Sequence, residues 1–105
     1  MSGLISIVIP LFNEGLHIEE SLNKIETEVL KTGLNYELII IDDGSSDDTW
    51  EIITNRKKNY PQLKAVRFSR HFGKESALCA GLDEAAGDAV IVIDGDLQHP
   101  PELIP

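Results

Sequence analysis

Two carboxylates, Asp94 and Asp96, directly follow a short apolar run and are the most chemically distinctive residues of this sequence. The run, residues 89–93, is too short for a helix and predicts a buried strand. Such a strand delivers both carboxylates to the carboxyl edge of a sheet, where ligands bind in open α/β folds. With the amide oxygen of Gln98 they offer the hard oxygen ligands that Mg²⁺ or Mn²⁺ prefers. The alternative is a solvated acidic turn that only ends a strand.

Four short apolar runs predict four strands, and helical patterns fill the gaps between them. The predicted strands cover residues 4–9, 36–41, 64–68 and 89–93, and the predicted helices cover residues 16–32, 48–59 and 74–86. Strands that alternate with helices imply right-handed crossovers and a mostly parallel sheet. We therefore predict an α/β fold, a Rossmann-like three-layer sandwich.

Polar residues and a glycine mark the predicted ends of the first two helices. Asn13 is placed to cap the first helix, with Glu14 in its first turn, and Gly33 is placed to end it. Ser46 or Asp47 can cap the second helix in the same way.

Composition limits the partners of the chain. The net charge of −9 argues against nucleic acid and against an anionic membrane surface as direct partners. A single cysteine, Cys79, excludes an internal disulfide and is expected to be a buried structural thiol. No signal peptide or membrane-spanning run is evident. Because the sequence stops at Pro105, soon after its most distinctive motif, we expect it to be the N-terminal part of a longer protein.

The ends of parallel strands meet at one edge of a sheet, so five carboxylates should converge there. They are Glu14 after the first strand, Asp42 and Asp43 after the second, and Asp94 and Asp96 after the fourth. Carboxylates this close repel one another unless protons, a metal or hydrogen-bond donors intervene. This convergence favours a ligand site over a set of unrelated acidic turns.

The chemistry at this edge suits a nucleotide diphosphate. A metal on Asp94, Asp96 and Gln98 could hold the diphosphate, and Asp42 or Asp43 could accept a hydrogen bond from the ribose or a base N–H. We expect one of this second pair to form the turn and the other to be free.

Aromatic and basic residues could complete such a site. Phe12 and Pro10 could form an apolar wall for the base, although simple core packing of Phe12 is the alternative. The one cationic cluster could hold phosphates or could merely balance the acidic edge, and it consists of Arg67, Arg70, His71 and Lys74. Neither a P-loop nor a G-x-G-x-x-G motif is present. The three histidines, His17, His71 and His99, show no metal-ligand spacing and are expected to be ordinary surface or loop residues.

Residues 6–14, 37–49 and 93–101 resemble family 2 glycosyltransferases of the GT-A fold. Residues 68–82 are similar to the branch that contains dolichyl-phosphate mannosyltransferases and bacterial polyprenyl-phosphate glucosyltransferases. The resemblance covers nearly the whole chain. It implies that residues 1–105 form the N-terminal, donor-nucleotide-binding part of a catalytic domain.

The resemblance also implies a nucleotide-sugar donor such as UDP-glucose, a divalent metal, and inversion at the anomeric carbon. Asp94 and Asp96 match the D-x-D pair, and we expect them to be the catalytic residues, with Gln98 beside them. From the resemblance and the strand ends together, the residues predicted to bind the nucleotide are Pro10, Phe12, Asn13, Glu14, Asp42, Asp43 and Lys74. The acceptor implied is a polyprenyl phosphate on the cytoplasmic face of a membrane.

Two other functions remain open from the sequence. One is another nucleotide-sugar transferase, such as a polysaccharide synthase, or a nucleotidyltransferase. The other is a non-enzymatic acidic α/β module such as a receiver domain, although its acidic pair should follow the first strand. For the chain alone we expect no sugar transfer, and we expect self-association through an exposed sheet edge.

Overall fold

The computed structural model of the chain describes residues 3–93. Within these residues, four parallel strands form one sheet with the order β3-β2-β1-β4. The elements are β1 (Leu4–Leu11), α1 (Ile18–Thr32), β2 (Asn35–Asp42), α2 (Thr49–Lys57), β3 (Leu63–Arg67), α3 (Lys74–Glu84) and β4 (Ala89–Val92). None of these three helices is long and apolar enough to cross a bilayer. The predicted α/β architecture is confirmed.

Side chains of β1 and β2 alternate between two cores, one on each face of the sheet. The core under α1 and α2 contains Ile7, Ile9, Leu11, Ile18, Leu22, Ile25, Val29, Leu38, Ile40 and Ile53. The core under α3 contains Val8, Ile39, Ile41 and Ala77. Because helices cover both faces, residues 7–11 of β1 and 38–41 of β2 are continuous apolar runs rather than alternating with polar residues.

The chain reverses its direction across the sheet after β3. It moves outward from β1 to β2 and β3, with α1 and α2 on one face, and α3 then leads back to β4 on the other side of β1. Right-handed crossovers in opposite directions place their helices on opposite faces. The boundary between β1 and β4 is therefore the switch point, outside which open α/β sheets bind their ligands.

Strand β1 is longer than the sequence predicts, because it continues through Pro10 to Leu11. Val8 accepts a hydrogen bond from the N–H of Ile93, so Pro10, two residues further on, faces the same side. The described pairing of β1 with β4 ends at Val8 and Val92, and the missing N–H of Pro10 therefore breaks no described ladder bond.

Two predictions about burial are wrong. Cys79 is exposed, because α3 contacts the sheet through a narrow stripe of small residues, with only Ala77 and Gly81 buried. A Cβ on Gly81 would collide with the Val8 side chain, so the small residues do allow close packing. Strand β4 is not fully buried either: Val90 and Val92 are exposed where β4 forms the edge of the described sheet.

A buried carboxylate fastens the turn between α3 and β4. Glu37 Oε2 accepts hydrogen bonds from Ser6 Oγ (2.5 Å) and the N–H of Ala86 (2.8 Å), while Oε1 lies 2.9 Å from Lys64 Nζ. Ser6 Oγ in turn accepts from the N–H of Gly87 at 2.8 Å. Burial acts to raise the pKa of Glu37, but the hydrogen bonds from Ser6, Lys64 and Ala86 outweigh it and hold the pKa below its ordinary value.

The lowered pKa of Glu37 predicts a pH-dependent contribution to stability. The folded state binds this proton less tightly than the unfolded state, so the contribution is complete above pH ~4.3, the ordinary value for glutamate. It is lost as the pH falls through the folded-state pKa. Glu37→Gln should therefore lower the free energy of unfolding at pH 7, and the gap to the parent chain should narrow towards pH 3. Urea unfolding at several pH values measures this gap, and Glu20→Gln, at an exposed site, is the control. A gap independent of pH would contradict the prediction.

Candidate functional site

The carboxyl ends of β1, β2 and β3 lie side by side, as the sequence predicts. Leu11 is the register partner of Asp42, and Asp42 is the register partner of Arg67. Backbone hydrogen bonds continue beyond the strands, from the N–H of Asp43 to Leu11 O (2.8 Å) and from the N–H of Phe68 to Asp42 O (2.9 Å). The loops that follow the three strands therefore begin from one rigid edge.

Asn13 joins the loop after β1 to the loop after β2. Its Oδ1 accepts hydrogen bonds from the N–H groups of Ser46 (2.8 Å) and Asp47 (3.4 Å), and its own N–H donates to Ser45 Oγ (2.8 Å). Its φ of +52° is a left-handed conformation that asparagine tolerates better than most residues. The prediction that Asn13 caps α1 is wrong, because that helix begins five residues later, at Ile18.

The same two loops are fastened at further points. The N–H of Glu14 donates to Thr49 Oγ1 (3.0 Å), and the N–H of Gly15 donates to Asp47 Oδ2 (3.0 Å). Asp47 Oδ1 accepts from the backbone N–H of Thr49 (2.9 Å) and from its hydroxyl. The prediction that Ser46 or Asp47 caps α2 is wrong, because the residue before the helix is Asp48, which makes no side-chain capping hydrogen bond. The Thr49 hydroxyl is the main reason that the pKa of Asp47 lies below its ordinary value. Glu14 lies before α1 rather than in its first turn.

Asp43 holds the loop after β3. One carboxylate oxygen accepts from the N–H of Phe72 (2.8 Å), and the other accepts from the N–H of Gly73 (3.0 Å) and lies 3.0 Å from His71 Nδ1. Asp43 is almost wholly buried, so these partners compensate its lost hydration. Both oxygens are thus engaged within the protein.

Asp42 is completely buried, but only one of its two carboxylate oxygens has a hydrogen-bond partner among the described residues. Its Oδ1 accepts a hydrogen bond from the N–H of Ser45 (2.9 Å) and so forms the turn after β2. Its Oδ2 has no hydrogen-bond partner among residues 3–93, and Arg67 Nε lies 4.0 Å away. The expected division between the two acids is therefore wrong: Asp42 supplies both the turn and the unpaired oxygen, while Asp43 is fully engaged. An unpaired buried oxygen is rare in folded proteins and indicates a missing partner.

A cleft of about 400 Å³ lies beside Asp42. Its lining consists of Gly44, Ser45, Arg67, Phe68 and Ser69. The guanidinium of Arg67 also lies over the Trp50 ring, 5.7 Å from the ring centroid. The volume falls within the range of small-ligand sites.

Phe12 and His71 form an aromatic pair next to this region. Their ring centroids are 4.1 Å apart, and Phe12 is 41% exposed, which excludes simple core packing for it. No local sequence pattern distinguishes His71 from the other two histidines. Its neighbours, Asp43 and Phe12, come from two other loops, and only its membership of the cationic cluster hinted at a role.

Two of the four residues of the cationic cluster lie close to carboxylates at the acidic edge of the sheet. Arg67 and His71 approach Asp42 and Asp43, as the charge-balance alternative predicts. Arg70 instead lies over the Phe72 ring, 4.9 Å from its centroid. Lys74 is the first residue of α3 and is exposed.

The predicted metal ligands, Asp94, Asp96 and Gln98, lie outside the described residues. The last described residue, Ile93, donates its N–H to Val8 O at 3.0 Å, beside the carboxyl half of β1. Pro10 is buried within β1 on this side of the sheet. Residues 3–93 by themselves contain no group of three or more acidic, histidine or cysteine side chains that could hold a metal.

The parallel sheet, its switch point and its polar carboxyl edge define a Rossmann-like α/β domain, and open α/β sheets of this class bind their ligands outside that edge. Residues 6–105 match the sequence model of glycosyl transferase family 2. The chain belongs to this family, and the predicted resemblance is confirmed.

Similar curated proteins include several sugar transferases. The chain is 43% identical over 101 residues to a dolichol-phosphate mannosyltransferase of Pyrococcus furiosus, which covers 96% of this chain and 28% of that protein. It is 40% identical over 102 residues to an undecaprenyl-phosphate 4-deoxy-4-formamido-L-arabinose transferase of Klebsiella pneumoniae, which covers 96% of this chain and 31% of that protein. The chain thus spans about three tenths of the length of these relatives.

Solved structures agree with the fold. The mannosyltransferase PcManGT from Pyrobaculum calidifontis, in complex with GDP-Man and Mn²⁺, superposes with a TM-score of 0.80 at 26% identity and covers 91% of this chain and 28% of that one. Residues 1–349 of TarS from S. aureus, in complex with UDP-GlcNAc, give a TM-score of 0.73 at 26% identity and cover 91% of this chain and 27% of that one. These likenesses confirm the Rossmann-like GT-A architecture.

Proposed function

We propose that this chain is the donor-binding part of a metal-dependent, inverting glycosyltransferase that transfers a sugar from a nucleotide sugar to a polyprenyl phosphate at the cytoplasmic face of a membrane. The observation that carries the proposal is the unpaired, completely buried Oδ2 of Asp42 beside a cleft at the carboxyl edge. A family 2 chain with a missing hydrogen-bond donor at this edge has the features expected of a nucleotide site.

The described residues divide into two groups in this proposal. Asp42 Oδ2 accepts an N–H of the nucleotide, and the Phe12–His71 pair offers an aromatic surface next to it. Asn13 and Asp43 act indirectly, because their oxygens hold the loops that carry these groups.

Lys74 and Arg70 are candidates for binding the phosphates of the nucleotide. Pro10 and Glu14 complete the predicted nucleotide-binding set.

A divalent metal fits the composition of this edge. Two carboxylates and an amide oxygen, from Asp94, Asp96 and Gln98, make a hard donor set that suits Mg²⁺ or Mn²⁺, and the structurally similar mannosyltransferase contains Mn²⁺. When bound, the metal would neutralise charge on the diphosphate leaving group as a Lewis acid. The position of β4 beside β1 supports these residues as its ligands, because Ile93 already lies at the switch point.

A lipid phosphate is the acceptor that the relatives favour. One relative is named a dolichol-phosphate mannosyltransferase and another an undecaprenyl-phosphate sugar transferase. A phosphate oxygen is already anionic, so direct attack on the anomeric carbon needs no strong general base and inverts that carbon. Acceptor binding and turnover then depend on the parts of the relatives that this chain does not span.

Calorimetric titration of UDP and GDP, with and without Mn²⁺, tests the proposal. We expect metal-dependent binding of at least one nucleotide, and a loss of about tenfold or more in Asp42→Asn, equivalent to about 1.4 kcal/mol. Asparagine can still accept from the N–H of Ser45, but it replaces the free oxygen by a donor. The double variant Asp94→Asn/Asp96→Asn should lose the dependence on Mn²⁺.

Asp83→Asn, at an exposed position on α3, removes one charge away from the loops and is the matched control. It should bind like the parent chain. Equal binding by the parent, Asp42→Asn and Asp94→Asn/Asp96→Asn chains, all folded by circular dichroism, would contradict the proposed donor site.

A further inference from the structure

A buried polar cluster at the amino end of the sheet holds the turn that leads into β4, and Asp94 and Asp96 follow β4 in the sequence. We propose that Ser6 and Glu37 are positioning residues that fix the register of β4 against β1 and so determine where these two acids stand. The inference rests on the proposed function, and it adds two residues that act on the metal site from the opposite end of the sheet.

The side chains of β4 specify its register only weakly. Ile91 and Ile93 contact the core under α1 and α2, whereas Val90 and Val92 are exposed on the other face. A slip of two residues along β1 would put one isoleucine in the place of the other and one valine in the place of the other. The alternation of faces would be preserved, so the apolar pattern opposes such a slip only slightly.

A slip of this size would disrupt the proposed metal site. Successive residues of a strand rise by about 3.3 Å, so two residues displace the chain by about 7 Å. Asp94 and Asp96 are themselves two residues apart, and the slip would carry one acid to the place meant for the other. A divalent ion contacts its oxygen ligands at about 2.0–2.6 Å and does not tolerate such a displacement.

Three consecutive backbone N–H groups tie the turn before β4 to the first residues of the central strands. The N–H of Ala86 donates to Glu37 Oε2 and the N–H of Gly87 donates to Ser6 Oγ, both at 2.8 Å. The N–H of Asp88 donates to a carbonyl oxygen of β1 at 2.7 Å. The Ser6 hydroxyl also donates to Glu37 Oε2 at 2.5 Å, so the two acceptors form one unit.

Gly87 turns this hydrogen-bonding pattern into a steric requirement. A Cβ at its position would lie 2.5 Å from Ser6 Oγ and 2.7 Å from Leu4 O, closer than a real Cβ approaches such atoms. A slip of two residues would bring Ala85 or Ala89 to this position, depending on its direction, and neither fits. The polar cluster and the glycine therefore accept one register.

The burial of the cluster also favours a role in specificity. Ser6 is completely buried and Glu37 almost completely, and they are register partners on the two central strands. Burying a carboxylate costs free energy, and a well-packed apolar pair of similar volume is often as stable or more so. Selection of one register is the best-attested use of such buried polar groups.

Ser6→Ala removes the acceptor for the N–H of Gly87 and is the first test. When Mn²⁺ is titrated into the intact chain with excess UDP or GDP, this variant should lose about tenfold or more of the parental Mn²⁺ affinity. Ser21→Ala, at a buried serine of α1, is the matched control and should bind Mn²⁺ like the parent chain. Glu37→Gln keeps an oxygen for the N–H of Ala86, so its Mn²⁺ affinity should stay within about threefold of the parental value despite its lower stability.

Amide hydrogen exchange, measured without metal or nucleotide, reports on β4 itself. The N–H groups of Asp88 and Ile93 donate to β1 at the two ends of β4, whereas the N–H of Leu38 donates to Gln62 O before β3. In Ser6→Ala the first two should exchange about tenfold faster or more, while the exchange of Leu38 changes by about threefold or less. A purely structural role of the serine would accelerate all three amides alike.

Gly87→Ala leaves both positioning side chains in place and should weaken Mn²⁺ binding at least as much as Ser6→Ala. Parental Mn²⁺ affinity in a folded Ser6→Ala chain, or equal acceleration of the three amides, would overturn the inference and leave the nucleotide site standing. Absence of Mn²⁺-dependent binding in the parent chain would count against the proposed function, and against this inference with it.

Discussion

Replacing Arg56 by alanine is expected to lower the free energy of unfolding by about 3–5 kcal/mol, because it leaves a buried carboxylate without its partner. Arg56 donates through Nε (3.0 Å) and Nη2 (2.8 Å) to Glu26 Oε1, and through Nη2 to Asn23 Oδ1 (2.8 Å). The Arg56 and Glu26 side chains are only 9% and 7% exposed. This pair fastens α1 to α2 on one face of the sheet.

Urea unfolding measures the effect, and an exposed ion pair supplies the control. Lys24 lies 3.3 Å from Glu20 on the surface of α1, and Lys24→Ala should change stability by no more than about 0.5 kcal/mol. The double variant Glu26→Leu/Arg56→Met should lose less than Arg56→Ala alone, since no unpaired charge remains buried. If Arg56→Ala and Lys24→Ala lower the free energy of unfolding by similar amounts, the buried ion pair between α1 and α2 stabilises the fold no more than an exposed pair does, and the prediction is wrong.

Gly44→Ala is expected to destabilise the chain by roughly 2–4 kcal/mol, and Gly33→Ala by only about 1 kcal/mol. The two glycines have nearly the same φ, +74° and +71°. A Cβ on Gly33 meets nothing within 4 Å, so only the left-handed backbone is strained. A Cβ on Gly44 would meet the Arg70 carbonyl group and, at 2.5 Å, the backbone nitrogen of His71.

Comparing the two substitutions separates the cost of the steric collision at Gly44 from the cost of the left-handed backbone, which both glycines share. Because Gly44 lies where the loop after β2 contacts the loop after β3, Gly44→Ala should also weaken nucleotide binding, whereas Gly33→Ala should not. Denaturant unfolding and the UDP and GDP titrations measure the two effects. Equal destabilisation by both substitutions would contradict the prediction. It would mean that the loops after β2 and β3 move apart easily enough to accommodate the added methyl group.

The layers of the fold are predictable because local patterns determine them. In α1 the apolar residues Ile18, Leu22, Ile25 and Val29 lie at helical spacing, and all four are buried. The continuous apolar run of β2 predicts a strand covered on both faces, which the two cores confirm. Element ends are less predictable, since the end of β1 depends on pairing with β2 and not on Pro10 itself.

The location of the site is also predictable, but its internal contacts are not. Parallel strands must bring their ends together, so the convergence of the polar loops follows from the order of elements. The roles of Asn13, Asp42 and Asp43 depend instead on which backbone N–H groups other loops offer them. Asn13 meets Ser46, which is 33 residues away, and Asp43 meets Phe72 and Gly73 from the next crossover. No local pattern encodes such pairings.

The position of β1 between β2 and β4 has a consequence for synthesis of the chain. Ile5 pairs with Tyr36 on one side, but its partner on the other side is Ala89. After β3 is made, roughly 25 further residues must be added before β4 is complete, which takes about 1–5 s at ribosomal rates. Throughout that time one edge of an apolar strand has unpaired N–H and C=O groups. The nascent chain is most exposed to aggregation in this interval, so a ribosome-associated chaperone would protect it most effectively there.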